Sequence, residues 1–270
     1  MSISKEKGNL WKERYPNISI EAKRREVNNS LAWSREYLCK PLSGGDSLFP
    51  YIMIESTYDY RVTFVHKREA DSVYYMGIDF ALSGRAGADY TVFTVVRKDT
   101  ENNTLHVVNI ERYKGLSGPA QRQRIAQLNE IYKPVKIYAD EGSFGKLFVQ
   151  ELRQALIPVE GIKFQSMRTD ILENLRSTFE LNFKEGSTPG SFEILPFEER
   201  KFFINKARGD IRTQTMTEKL TKELLGFAVT LKRKRGEITS SVKFQTTKPH
   251  DDLVMSLALA TYAAKGHSPS

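Results

Sequence analysis

The chain has 270 residues, 40% of them hydrophobic, enough for one large domain or one domain with an extension. A formal charge of +8 suits a polyanionic partner, and nucleic acid is the usual one. The single cysteine, Cys39, excludes an internal disulfide framework and a Cys-based zinc site. No apolar run reaches the roughly 18 residues that a membrane span needs, and the opening stretch MSISKEKGNLWKERYP lacks the apolar core of a signal peptide.

In chain order, residues 1–70 differ from the rest. Residues 19–37 are charged and read as a helix, with Ala22, Val27, Leu31 and Trp33 as packing residues. Pro41 and Ser43-Gly44-Gly45-Asp46 then mark a loop. This segment has too little regular structure to close a core alone, so it is expected to be a linker or extension ahead of a domain spanning 71–270.

From about residue 72 the pattern becomes α/β. Residues 73–81 (VYYMGIDFA), 90–97 and 105–113 read as three strands of a meander. Ser117-Gly118-Pro119 opens a helix to about residue 132, with proline near the start as helices prefer. Residues 136–140 (KIYAD) form a fourth strand, followed by a helix over 144–156, a fifth strand over 161–165 and a helix over 170–183. Residues 184–191 are a loop, and 192–212 give no clear reading. A short helix over 218–225 precedes two strands, 227–232 and 237–244, paired around Arg233-Lys234-Arg235-Gly236 as a basic β-hairpin. An apolar helix over 251–264 closes the chain. Three meandering strands followed by alternating helix and strand predict a mixed sheet with helices on its faces.

Four acids stand out against this frame. Asp79 lies inside an apolar strand, where a carboxylate is costly unless paired, hydrogen-bonded or metal-bound. Asp140 ends KIYAD and precedes Glu141-Gly142, which also reads as ordinary turn chemistry. Asp251 and Asp252 open the last helix, where aspartates also serve as caps. Ligands of open α/β sheets bind beyond the carboxyl ends of the strands. If the strands of Asp79 and Asp140 are parallel neighbours, their carboxylates converge, and a divalent cation relieves the repulsion. An all-oxygen set favours Mg2+ or Mn2+ over zinc.

The stretches GIDFALSGRAGADYTVFTVV, IYADEGSFGKLFVQEL and HDDLVMSLALA resemble the nuclease domain of bacteriophage terminase large subunits, members of the ribonuclease H-like superfamily close to the RuvC-type resolvases. The early stretch LWKERYPNISIEAKRREVNNSLAWSREYLCKPL resembles the segment that follows the ATPase in those proteins. The resemblance implies an α/β ribonuclease H-like fold: a five-stranded mixed sheet of order 3-2-1-4-5, strand 2 antiparallel, with helices on both faces. It also implies two-metal phosphodiester hydrolysis of concatemeric double-stranded DNA in the host cytoplasm. In that scheme Asp79, taken as the deepest acid, bridges both ions. Asp140 binds one, and Asp252 or Asp251 the other, with Mg2+ or Mn2+ as cofactor. Asp89 and His250 are candidates for supporting roles, each also readable as a turn or surface residue. The family further implies an ATPase domain in the full-length protein, with a portal and a small terminase subunit as partners. This sequence has no GxxxxGK[ST] loop; its nearest approach, Gly142-Ser143-Phe144-Gly145-Lys146-Leu147, has the wrong spacing and a leucine where a hydroxyl must hold Mg2+.

DNA contacts are expected from Lys232, Arg233, Lys234 and Arg235 at the hairpin and from Arg85 in the loop after Asp79, with Lys146 and Arg168 as further candidates. Contacts to phosphate give affinity without sequence choice. Two other readings stand beside the nuclease: a RuvC-like junction resolvase, and a nucleic-acid-binding or assembly module without catalysis.

Overall fold

The computed structural model describes residues 3–4, 8–9, 47–81, 90–142, 145–184, 192–232 and 241–265. The helix expected over 19–37 and the loop at 43–46 lie outside the described residues. Ile3–Ser4 and Gly8–Asn9 form a short antiparallel ladder of their own.

The main sheet contains β1 (Tyr58–Asp59), β2 (Ser72–Asp79), β3 (Tyr90–Asp99), β4 (Thr104–Lys114), β5 (Lys136–Asp140), β6 (Val159–Ile162) and β7 (Phe202–Asn205). Its order is β1-β7-β4-β3-β2-β5-β6, and β3 is antiparallel to both neighbours while the other pairs are parallel. The order 3-2-1-4-5 implied by the resemblance is present as β4-β3-β2-β5-β6. Among the described residues the sheet has seven strands, with β7 and β1 extending it beyond β4. Both are short and carry no alternation long enough to read. The fifth strand ends at Ile162 rather than reaching 165, because Phe164 already begins a helix.

The helices are α1 (Tyr51–Glu55), α2 (Gly118–Tyr132), α3 (Gly145–Gln154), α4 (Phe164–Glu180), α5 (Ile211–Leu224) and α6 (Asp252–Lys265). Ser117 Oγ accepts from Ala120 N–H and caps α2, and Lys133 ends it in the left-handed region at φ 47°. Helix α5 starts earlier than residue 218, because the Asp210 side chain accepts from Arg212 N–H at 3.1 Å and caps it there.

Both faces of the sheet are covered, as expected. On one face α2 and α3 bury Ile125, Leu128, Val149 and Leu152 against Met76, Ile78, Phe93 and Val95. On the other, α4, α5 and α6 pack over Val92, Val96, Val107 and Ile110. Leu48, Phe49, Met53, Ile54, Tyr58 and Phe64 are buried in this second core. Described residues ahead of position 70 thus pack into the same core as those that follow. Strands β8 (Phe227–Lys232) and β9 (Ser241–Thr246) pair antiparallel as the expected hairpin. Residues 237–240 of the expected second strand lie outside the described residues. The basic tip at Arg233, Lys234 and Arg235 lies outside the described residues, as does the side chain of Lys232.

A half-buried histidine, His106, makes stability depend on pH. His106 is stacked on Phe203 at 4.9 Å and bonded through Nε2 to Thr104 Oγ1 at 3.0 Å. Burial, with Arg97 nearby, pushes its imidazole down from 6.5 to about 4. As pH falls the unfolded chain takes up this proton first. The contribution is therefore intact above pH 6.5 and is lost between 6.5 and about 4. The loss at the acid end is about 3 kcal/mol. Urea unfolding at the two ends of that window should show it, and His106→Gln should flatten this part of the profile.

Candidate active site

Side-chain alternation decides which acids can meet. In β2, Tyr74, Met76 and Ile78 face α2 and α3, so Asp79 faces the opposite side, toward α6. In β5, Ile137 and Ala139 face α2 and α3, which turns Asp140 to the α6 side as well. The two strands are parallel neighbours with Ile78 opposite Ala139. Both aspartates therefore end adjacent strands on the same face.

Helix α6 is brought onto them by a close approach at Gly77. A Cβ there would stand 2.0 Å from Ser256 O and 2.4 Å from Ala260 N, so only glycine lets the helix backbone lie this near the strand. Ser256 Oγ, fully buried, donates to Gly77 O at 2.9 Å and lies 2.9 Å from Thr94 Oγ1. These contacts fix the start of α6 over the ends of β2 and β5. The turn after β5 is equally tight. Gly142 N–H donates to Asp140 Oδ1 at 3.0 Å, and a Cβ on Gly145 would stand 1.9 Å from Asp140 O.

The result is an open cleft of about 410 Å³, walled by Asp79, Asp140, Asp251 and Asp252 together with Arg168, Phe80, Pro249, Met255 and Leu259. The four predicted acids thus share one site. The deepest is Asp252, 5% exposed, not Asp79 as expected. Asp251 is bridged to Arg168 at 2.7 Å, which separates it from its neighbour. Asp252 Oδ2 lies 3.7 Å from Arg112 and 3.7 Å from His250 Nδ1. His250 rests edge-on against Tyr90 and is not part of the cleft wall. Arg85 and Asp89 lie outside the described residues, and Lys146 is exposed in the first turn of α3. Among the described residues, no three Asp, Glu, His or Cys side chains are already gathered closely enough to share one ion. The donors are nevertheless all carboxylates, the chemistry that suits a hard divalent cation.

Residues 76–263 match the model of the terminase RNaseH-like domain. The chain belongs to this family. Comparison with curated protein sequences finds no match. Among solved structures, the chain is similar to the large terminase nuclease of thermophilic phage G20c with bound magnesium, at 22% identity, 82% of this chain, 98% of that one and a TM-score of 0.53. It is similar to the large terminase nuclease domain of Thermus phage P74-26, at 23% identity, 80% of this chain, 94% of that one and a TM-score of 0.51. The nuclease domain of large terminase subunit gp2 of bacterial virus Sf6 follows at 14% identity, 83% of this chain, all of that one and a TM-score of 0.51. At these identities the likeness is one of fold.

In this terminase domain, the start of the last helix also takes a carboxylate from another element. Glu223, from α5, caps α6: its Oε2 accepts from Leu253 N–H at 2.9 Å and from Val254 N–H at 3.4 Å. Burial pushes the Glu223 carboxyl upward, and the Arg112 guanidinium 3.3 Å away pulls it back toward the ionised form. Arg112, on the α6 face of β4, lies 3.3 Å from Glu223 Oε1 and stacks over Tyr90 at 3.6 Å. Neither residue was a sequence candidate. A carboxylate between Lys222 and Leu224-Leu225, and an arginine two places beyond Ile110 in an apolar strand, were the available signals.

Proposed function

We propose that this terminase domain is a divalent-metal-dependent endonuclease that cuts concatemeric double-stranded viral DNA in the host cytoplasm, with little sequence preference. The observation that carries the reading is the meeting of Asp79, Asp140, Asp251 and Asp252, from three distant segments, at one cleft of this fold. Asp79 and Asp140 would hold a two-ion site of Mg2+ or Mn2+ from the strand ends, and Asp252 from the helix. Bound magnesium and bound cobalt in the phage G20c nuclease support that choice. The chemistry such ions supply is activation of the attacking water and stabilisation of the departing 3′ oxygen.

This chain's own residues do the rest. The strand ends and α6 would present the carboxylates around one cleft, and a bound ion would draw them together into a ligand set. Asp251 anchors Arg168 at the cleft wall, where its guanidinium is placed for a backbone phosphate. Lys232, Arg233, Lys234, Arg235 and Arg85 would extend that contact along the duplex. In the working assembly an ATPase domain, the small terminase subunit and the portal would supply movement and recognition.

Nicking of supercoiled plasmid tests the reading. Conversion to open-circular and linear forms is expected with Mg2+ or Mn2+ and is expected to stop with EDTA. No turnover with either ion would leave a binding or assembly module. Strong preference for a four-way junction over linear duplex would favour the resolvase.

A further inference from the structure

Arg112 sits beside one of the cleft acids. Its guanidinium is 3.7 Å from Asp252 Oδ2, and its side chain is only 11% exposed. A buried positive charge beside a metal-binding carboxylate opposes the ion, because Coulomb repulsion is poorly screened away from water. Glu223 stands on the other side of the same guanidinium at 3.3 Å, 8% exposed, and also holds the first free N–H groups of α6.

We propose that Glu223 is a positioning residue of the metal centre: it anchors the start of α6 and balances the charge of Arg112, leaving Asp252 to the divalent ion. The inference rests on the assignment of Asp252 as a metal ligand. Tyr90 completes the arrangement by covering the guanidinium face at 3.6 Å, so Arg112 is held between Glu223 and Asp252. Without the Glu223 charge, the anion left beside Arg112 among the described residues is Asp252. Metal affinity then falls even though no ligand has been removed. Glu223 thus tunes how much Mg2+ or Mn2+ the site needs. A residue that merely filled space in α5 would not do so.

The test is Mn2+ binding to the full chain without DNA, by isothermal titration, with thermal unfolding in EDTA alongside. Glu223→Gln keeps the shape and the acceptor oxygen but removes the charge. It is expected to weaken Mn2+ binding by roughly ten- to a hundredfold, the usual range for groups that orient a ligand, while the melting temperature in EDTA does not fall. Arg112→Met with Glu223→Gln removes both charges, and is expected to bind Mn2+ within about threefold of wild type, since buried pairs tolerate joint apolar or neutral replacement. Wild-type affinity in Glu223→Gln, or loss of binding in a folded double variant, would overturn the inference. If Glu223→Gln does not fold, the double variant alone decides. Asp252→Asn separates the two levels: undiminished Mn2+ binding there would refute Asp252 as a ligand, whereas lost binding there with unchanged Glu223→Gln would refute the charge-balance role only.

Discussion

Asp79→Asn is expected to lower plasmid cleavage by about a thousandfold, the equivalent of about 4 kcal/mol of transition-state stabilisation, with DNA affinity near wild type. The carboxylate ends β2 on the α6 side, beside Asp140 on the parallel neighbour, where the amide keeps the shape but not the charge. On the proposed reading, DNA affinity would come from basic side chains on phosphate, which this substitution does not touch. Cleavage kinetics and a filter-binding assay on the same preparation check the two halves. Full activity in Asp79→Asn would remove it from the catalytic set. Loss of activity together with loss of fold, read by thermal melting, would point to a structural role.

The second large effect is expected at Gly77, which carries no chemistry. In Gly77→Ala the new methyl would stand 2.0 Å from Ser256 O and 2.4 Å from Ala260 N, both backbone atoms of α6. No rotamer change relieves that overlap, so the helix must move off the strand. Overpacking of this kind costs about 3 kcal/mol or more. The displacement also carries Asp252 away from Asp79 and breaks the Ser256 bonds to Gly77 O and Thr94. Melting temperature and cleavage should fall together. A change at Gly115, where an added Cβ meets nothing within 4 Å but φ is +66°, should lower stability modestly and leave the cleft intact. Equal effects at the two glycines would contradict the close-approach argument.

These two positions also show what the sequence could and could not reveal. Asp79 and Asp140 were legible because each interrupts or ends an apolar strand, and period-two alternation then puts both on one face. The run LVMSLALATYAA was legible as a buried helix because nearly every position is apolar or small. Gly77 was readable as a strand residue but not as a contact, since the helix it admits lies about 180 residues away in sequence. Glu223 and Arg112 were hidden for the same reason. A carboxylate on α5 and a guanidinium on β4 become partners only when α5 is packed against the start of α6 over the sheet. Strands β1 and β7 were missed because two and four residues give alternation nothing to repeat over. The segment before residue 70 read as an extension because it holds few regular elements. Leu48, Phe49, Met53 and Ile54 nevertheless fill the core beneath α4 and the hairpin.

The central claim is that carboxylates from β2, β5 and the start of α6 grip divalent ions at one point. Anomalous diffraction from crystals of this chain soaked in Mn2+ tests it most directly. The expected map has one or two peaks in the cleft, with oxygens of Asp79, Asp140 and Asp252 about 2.0–2.3 Å away. Manganese bound only elsewhere, or in the cleft without Asp79 and Asp140 among its ligands, would contradict the account.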